Sequence, residues 1–188
     1  MAELRLIVGL GNPGARYART RHNIGWRLAE FLAGPAGVWK NFKGLGVCAS
    51  SEGLLMAKPE TFMNESGRFV RALADFYRVS AGEVLICYDE LDLPFGRLRL
   101  KPSGSAAGHR GMESVIAALG TENIPRLRLG VGPKPPQADG AAFVLGRFSA
   151  DEEKALDGVL DLAAQAARLA RASGLEAAMN RFNGAPAP

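Results

Sequence analysis

The sequence contains few of the residues on which metal binding, disulfide formation and proton transfer usually depend. Only two cysteines and two histidines occur among its 188 residues. Cys48 and Cys87 lie in apolar, strand-like segments, which favours buried, reduced thiols over a disulfide or a nucleophile. His22 and His109 have no second ligand at a spacing typical of metal sites. The sequence therefore predicts no bound metal.

Long apolar segments are also missing. No run approaches the roughly 18–20 residues that a membrane-spanning helix needs, and the N-terminus lacks the basic, apolar and small-residue regions of a secretory signal. We therefore expect a cytoplasmic protein that does not enter a membrane. Apolar residues make up 47% of the chain and the formal net charge is +4. These values are typical of a globular protein and permit a nucleic-acid partner without requiring one.

Strand-like and helix-like patterns alternate along the chain. Apolar runs predict strands at residues 5–10, 84–88 and 126–131, and apolar residues at helical spacing predict a helix at 24–32. No linker or internal repeat divides the sequence. These patterns predict a single α/β domain over residues 1–188, with a twisted, mixed and largely parallel β-sheet flanked by helices.

The segment Gly9-Leu10-Gly11-Asn12-Pro13-Gly14 matches the G-x-G-x-x-G pattern of dinucleotide sites. In such a site the last glycine opens a helix, and an acidic residue that ends the next strand holds the ribose. Here the helical pattern resumes only near residue 23, and Glu30, at the required distance, lies inside that helix. The pattern thus favours a tight turn that presents Asn12 at the carboxyl edge of a strand, where α/β proteins bind ligands.

Polar side chains that suit acyl hydrolysis lie at the ends of predicted strands and helices. His22 precedes a helix, Asp89 ends an apolar strand, and Asn64 lies between a strand and a helix. An imidazole can take a proton from water near neutral pH, a carboxylate can hold its tautomer, and an amide can stabilise an oxyanion. Together with Asn12 these residues predict metal-free hydrolysis of an activated acyl bond. Asn64 also fits a simple helix N-cap.

Two further segments give weaker indications of a functional role. Phe62 and Met63 are apolar residues that we expect to be exposed, which indicates a binding surface. Glu90 and Asp92 are expected to be turn residues before Pro94.

A basic strand face accounts for part of the positive charge. Arg97, Arg99 and Lys101 alternate with leucines, so their side chains are expected on one face of a strand. Such a face either binds phosphates or is a solvated edge that prevents strand pairing.

Four segments resemble, in their order and spacing, the bacterial-type peptidyl-tRNA hydrolases. They are LIVGLGNPGARYARTRHNIG, KPETFMNESG, DELDLPFGRLRLK and LRLGVG. The resemblance extends from about residue 4 to the C-terminal NRFN. It implies a monomeric α/β enzyme without a cofactor that hydrolyses the ester between a peptide and the 3′ ribose of tRNA, recycling tRNA from prematurely released peptides. The alternative is a non-catalytic RNA-binding relative of the same fold.

The resemblance assigns catalytic and substrate-binding roles to individual residues. His22 matches the catalytic base and Asp89 its partner carboxylate, while Asn12 and Asn64 match amides that line the site. The substrate-binding matches are Tyr17 beside the tRNA 3′ end, Phe62 and Met63 in the peptide groove, and Lys101, Arg128 and nearby Arg99 at the tRNA 5′ phosphate.

The segment Gly108-His109-Arg110-Gly111 departs from the GHNG of many family members. His109 and Arg110 are therefore expected to contact substrate, with the cation of Arg110 replacing the amide of an asparagine.

Overall fold

The computed structural model describes residues 3–51 and 53–188, and its elements alternate between strands and helices. The strands are β1 (Leu6–Gly9), β2 (Lys40–Phe42), β3 (Gly46–Ser51), β4 (Leu54–Pro59), β5 (Val84–Pro94), β6 (Leu98–Lys101) and β7 (Arg126–Gly132). The helices are α1 (Ile24–Ala33), α2 (Ser66–Tyr77), α3 (Arg110–Leu119), α4 (Gly140–Leu145), α5 (Ala150–Ser173) and α6 (Leu175–Phe182). Short 3-10 helices cover Arg21–Asn23, Met63–Glu65 and Ala81–Glu83.

The strands form one seven-stranded sheet in the order β2-β3-β4-β1-β5-β7-β6. The central strands β4, β1, β5 and β7 are parallel, which accounts for three pairings. The three pairings toward the sheet's two edges, β2 with β3, β3 with β4 and β7 with β6, are antiparallel. The predicted mixed α/β sheet is therefore confirmed, but it is not largely parallel, because its parallel pairings are confined to the centre.

Helices cover both faces of this sheet and bury two separate apolar cores. Helices α1, α5 and α6 pack on one face, and α2 and α3 pack on the other. Along β1, Ile7 belongs to the first core, while Leu6 and Val8 belong to the second, as the alternation of a strand requires. Burial on both sides explains why β1 has a continuous apolar sequence. No helix in the described ranges combines the length and apolar character needed to cross a membrane.

The glycine segment serves the packing of α1 on the sheet. A Cβ atom at Gly9 would lie 1.9 Å from the carbonyl oxygen of Gly25, and one at Gly25 would lie 2.4 Å from that of Cys87. Gly14 has a φ of +104°, and turns follow it until α1 begins at Ile24. The N-terminus of α1 therefore packs beside the loop, but Gly14 does not open this helix, as the last glycine of a dinucleotide site does.

The end of β5 differs from its prediction. The strand does not end before Asp89 but continues to Pro94, with a shift in its register against β7 between Glu90 and Pro94. Glu90 and Asp92 are consequently strand residues, so the expectation that they belong to a turn was wrong. The sequence pattern also missed α4, which Asp139 caps by accepting the N–H of Ala142.

Candidate active site

Two imidazoles and one carboxylate meet at the carboxyl edge of the sheet. His22 lies in the 3-10 helix before α1, and His109 caps the N-terminus of α3, so the rings come from opposite faces of the sheet. Asp89 lies on β5 beyond the last pairing of β1, which joins Gly9 and Cys87. Its Oδ1 lies 2.8 Å from His22 Nδ1 and 3.0 Å from His109 Nε2.

The hydrogen bonds define the proton positions on the neutral rings. The backbone N–H of Met112 donates to His109 Nδ1 at 3.2 Å, so the proton of the neutral His109 ring lies on Nε2 and points to Asp89. His22 donates from Nδ1 to the same carboxylate, which leaves its Nε2 as a lone-pair acceptor. His22 is therefore arranged as a base, while His109 acts as a donor toward Asp89.

The pKa of Asp89 reflects opposing effects. Its side chain is 2% exposed, and burial on its own would raise the pKa. The charges of protonated His22 and His109, together with the hydrogen bonds from both rings, outweigh burial and hold this pKa well below its usual range. The carboxylate is thus ionised throughout the physiological pH range.

The same three residues offer ligand atoms within 4.8 Å of one another, which the sequence spacing did not reveal. The donor set is nevertheless poorly arranged for an ion. A metal at His109 Nε2 would move the ring proton to Nδ1, where it would face the N–H of Met112. The cluster is better suited to hydrogen bonding than to metal coordination.

Asn12 lies at this edge because a buried partner holds its backbone. Asn23 Oδ1 accepts the backbone N–H of Asn12, and Asn23 Nδ2 donates to the Asn12 carbonyl, both at 2.9 Å. The Asn12 side-chain oxygen accepts the N–H of Met63 at 2.8 Å. Within the described ranges its Nδ2 has no partner, so that N–H group is available to a ligand. Asn23 was not among the predicted site residues, although it directly follows His22.

A cavity of about 410 Å³ opens beside the cluster. Its polar side holds Asn12, His22, Asp89 and His109, and its apolar side includes Ala141, Val144 and Leu145 from α4. The backbone N–H of Arg21 donates to the Gly146 carbonyl at 2.9 Å, which ties the end of α4 to the 3-10 helix that carries His22. No sequence pattern indicated this apolar wall, because α4 itself was not predicted.

A second cavity of about 410 Å³ adjoins the first and contains much of the basic face. It is lined by Arg97, Arg99 and Arg128, but Lys101 is not among its lining residues. Arg99 and Arg128 are directly paired across β6 and β7. Glu90 lines both cavities.

Arg128 and Arg126 differ sharply in their surroundings. Arg128 Nη1 donates to Glu90 Oε2 at 2.9 Å, and its Nε donates to the Tyr88 hydroxyl at 3.0 Å. Arg126, which the sequence analysis did not single out, is fully buried and donates to three backbone carbonyls, including that of Ser105 at 2.9 Å. It thereby holds the loop that leads to His109.

The remaining predicted site residues lie apart from the cluster. Asn64 is exposed, does not line the catalytic cavity and is not the N-cap of α2, a position that Glu65 occupies. Phe62 is 53% exposed, as expected, whereas Met63 is 4% exposed, so the expectation of an exposed Met63 was wrong. Met63 is buried because its sulfur packs against Gly111, where a Cβ would lie 2.4 Å from it.

Tyr17 and Arg110 occupy positions that a substrate can reach. Tyr17 is half-buried in the turn after Gly14, with the Arg16 guanidinium 4.5 Å from its ring centroid. Arg110 is exposed at the first turn of α3 and lines the catalytic cavity. Neither side chain is tied down by an ion pair in the described part of the chain.

The fold and the cluster define an α/β protein with a His–Asp pair of the kind that hydrolytic enzymes use. The family model for peptidyl-tRNA hydrolase matches residues 6–188. The chain is 46% identical to the peptidyl-tRNA hydrolase of Elusimicrobium minutum over 185 residues, which cover 96% of this chain and 99% of that protein. It is 49% identical to that of Chloroflexus aggregans, covering 95% and 98%.

A solved structure gives the same result. The crystal structure of peptidyl-tRNA hydrolase from Acinetobacter baumannii superimposes with a TM-score of 0.89 at 36% identity, covering 98% of this chain and 96% of that one. This chain belongs to the peptidyl-tRNA hydrolase family.

Proposed function

We propose that this protein hydrolyses the ester bond between the peptide and the tRNA 3′ ribose of peptidyl-tRNA, and so recycles tRNA from prematurely released peptides. The observation that carries the proposal is the Asp89 carboxylate, which accepts a hydrogen bond from His22 Nδ1 at 2.8 Å beside a cavity walled by apolar residues. A non-catalytic RNA-binding relative would have no need for this pair. Family membership supports the enzymatic role over that alternative.

In the proposed mechanism His22 Nε2 takes a proton from a water molecule, which attacks the ester carbonyl. Asp89 keeps the other ring proton on Nδ1 and stabilises the imidazolium that forms. The free N–H group of Asn12 donates to the carbonyl oxygen as negative charge develops on it. The tetrahedral intermediate then collapses, and His22 returns the proton to the 3′ oxygen of the ribose.

The substrate-binding residues are part of the same proposal. Arg128 and Arg99 bind the 5′ phosphate of tRNA. Lys101, two residues after Arg99 on β6, contributes to the same contact. Guanidinium groups suit this contact because they form paired hydrogen bonds with phosphate oxygens. Tyr17 lies beside the tRNA 3′ end, and Arg110 contacts phosphate or carbonyl groups of the acceptor end.

The peptide part of the substrate meets less polar surfaces. Phe62 and Met63 contribute to the peptide groove, Met63 through its buried packing, and Asn64 is proposed as a polar contact nearby. The apolar face of α4 gives further support, because Val144 and Leu145 line the cavity that contains His22. We also propose that the protein acts in the cytoplasm as a monomer, and its two free, buried cysteines fit a reducing compartment.

The decisive experiment compares wild type and His22→Ala on an N-acetyl-aminoacyl-tRNA and on the free-amine aminoacyl-tRNA. We expect hydrolysis of the blocked substrate only, with a loss of at least about 10²–10⁴-fold in kcat for His22→Ala, the usual contribution of a general base. Circular dichroism should show an unchanged fold. A folded wild type that binds tRNA but releases no amino acid would support the RNA-binding alternative.

A further inference from the structure

We propose that Glu90 is an internal counter-ion for Arg128: it occupies the guanidinium in the free protein and is exchanged for a tRNA phosphate when substrate binds. This inference rests on the proposed function, because it concerns the affinity of the proposed phosphate site. It adds Glu90 as a residue that sets specificity for a phosphorylated substrate.

The first support is the geometry of the pair. The Nη1 atom of Arg128 lies 2.9 Å from Glu90 Oε2, and the Tyr88 hydroxyl holds Nε at 3.0 Å. Two of the three guanidinium nitrogens are therefore occupied, and Nη2 has no hydrogen-bond partner in residues 3–51 and 53–188. The guanidinium is thus oriented in advance, with one edge available to an incoming oxygen atom.

The second support is that the pair, although mostly buried, is not sealed from the cavity, so an incoming group can reach it. The side chains of Arg128 and Glu90 are 11% and 19% exposed. A phosphate brings more negative charge than one carboxylate and offers several strong acceptor oxygens. A phosphate can therefore replace one carboxylate oxygen, provided that the rest of the substrate contributes binding energy. Free phosphate should bind less tightly than the tRNA phosphate, because it lacks the contacts that the rest of the substrate makes.

The third support is the position of Glu90 between the two cavities. It lines the cavity that contains His22 and the one that contains Arg128. Asp92 lines both cavities as well, but no cation lies within 4.0 Å of its carboxylate in the described part of the chain. The two carboxylates thus place similar negative charge in the groove, and only Glu90 competes directly for a guanidinium. Asp92 provides a matched control.

The test measures KM for an N-acetyl-aminoacyl-tRNA that carries a 5′ phosphate and for the same tRNA after phosphatase treatment. Glu90→Gln keeps an oxygen that can accept from Arg128 Nη1 and removes the charge. We expect it to lower KM for the phosphorylated substrate about fivefold, which is the scale of a partly exposed charge pair. KM for the dephosphorylated substrate should change no more than it does in Asp92→Asn, which measures the general effect of removing one negative charge from the groove.

Two comparisons separate exchange from general electrostatics. Asp92→Asn should change KM for both substrates to the same small extent, since it removes charge without releasing a guanidinium. In an Arg128→Gln background, Glu90→Gln should change KM no more than Asp92→Asn does. The inference is wrong if Glu90→Gln leaves KM for the phosphorylated substrate unchanged or raises it. It is also wrong if the full effect persists without the 5′ phosphate or without Arg128.

The proposed function can fail separately from this inference. If wild type releases no amino acid, the hydrolase proposal fails and the counter-ion inference fails with it. If wild type is active but Arg128→Gln does not raise KM for the phosphorylated tRNA, the hydrolase proposal stands and the phosphate site is wrong. Only an active enzyme with an Arg128-dependent KM and a tighter Glu90→Gln variant supports the inference.

Discussion

Replacing Asn23 by alanine should both destabilise the protein and slow the reaction. Asn23 is fully buried, and its amide satisfies the backbone N–H and carbonyl of Asn12 through two hydrogen bonds of 2.9 Å. Alanine would leave both backbone groups without a partner in a site that is nearly closed to water, since Asn12 is 7% exposed. The turn that presents the Asn12 amide would then lose its main restraint.

The expected loss of stability follows from the backbone N–H and carbonyl of Asn12. An unsatisfied buried donor or acceptor costs about 1–3 kcal/mol, so the free energy of unfolding should fall by about 2–4 kcal/mol if some water enters. For a domain of this size the loss corresponds to a decrease in Tm of about 5–15 °C. Because small displacements of a catalytic group are costly, kcat should fall by about 10- to 100-fold.

Asn41→Ala provides the control, since Asn41 also accepts one backbone N–H, from Gly44 at 2.9 Å, but at an exposed turn. Its loss of unfolding free energy should stay below about 1 kcal/mol, because water replaces the lost partner. Thermal melts and urea unfolding measure stability, and hydrolysis of N-acetyl-aminoacyl-tRNA measures kcat. A Tm for Asn23→Ala within about 1 °C of wild type, with full kcat, would refute the reasoning.

Two further predictions concern the carboxylate and the packing of α1. Because the pKa of Asp89 is held below its ordinary value, its carboxylate stabilises the folded protein above about pH 4, and this stabilisation is lost as pH falls through the folded pKa. In thermal melts, the Tm of wild type should therefore decrease more steeply with falling pH than the Tm of Asp89→Asn. Parallel curves of Tm against pH would contradict this prediction. Gly25→Ala should lower the free energy of unfolding by about 1–3 kcal/mol or more, since its Cβ would meet the Cys87 carbonyl at 2.4 Å. The added Cβ of Gly82→Ala would meet nothing within 4 Å, so this variant should have nearly the stability of wild type in urea unfolding. Equal urea midpoints for Gly25→Ala and Gly82→Ala would disprove the packing argument.

The part of the site that sequence reasoning predicted consists of residues at the ends of elements. Asn12 and Asp89 follow apolar strands, and the carboxyl ends of parallel strands meet at one edge of a sheet, so the neighbourhood of His22 and Asp89 could be inferred. The mixed sheet followed in the same way from alternating patterns.

The parts that were missed depend on contacts between elements. His109 reaches Asp89 from the opposite face of the sheet, and no spacing in the chain indicates that two imidazoles share one oxygen atom. The burial of Met63 depends on the absence of a side chain at Gly111, a neighbour on a different helix. Glu90 looked like a turn residue because a proline follows it closely, yet β5 continues past it to Pro94.

The alternation of side chains along β5 places contacts to Arg128 and to the two histidines on adjacent residues. Tyr88 and Glu90 point to one face, toward Arg128, while Asp89 between them belongs to the acid–base cluster. In the proposed binding mode the ester lies at His22 and the 5′ phosphate at Arg128, so adjacent residues of a single strand support both contacts without an intervening flexible loop. An insertion or deletion of one residue here would exchange the two faces. Both proposed contacts would then be lost together, so we expect this segment of β5 to tolerate substitutions better than a change in its length.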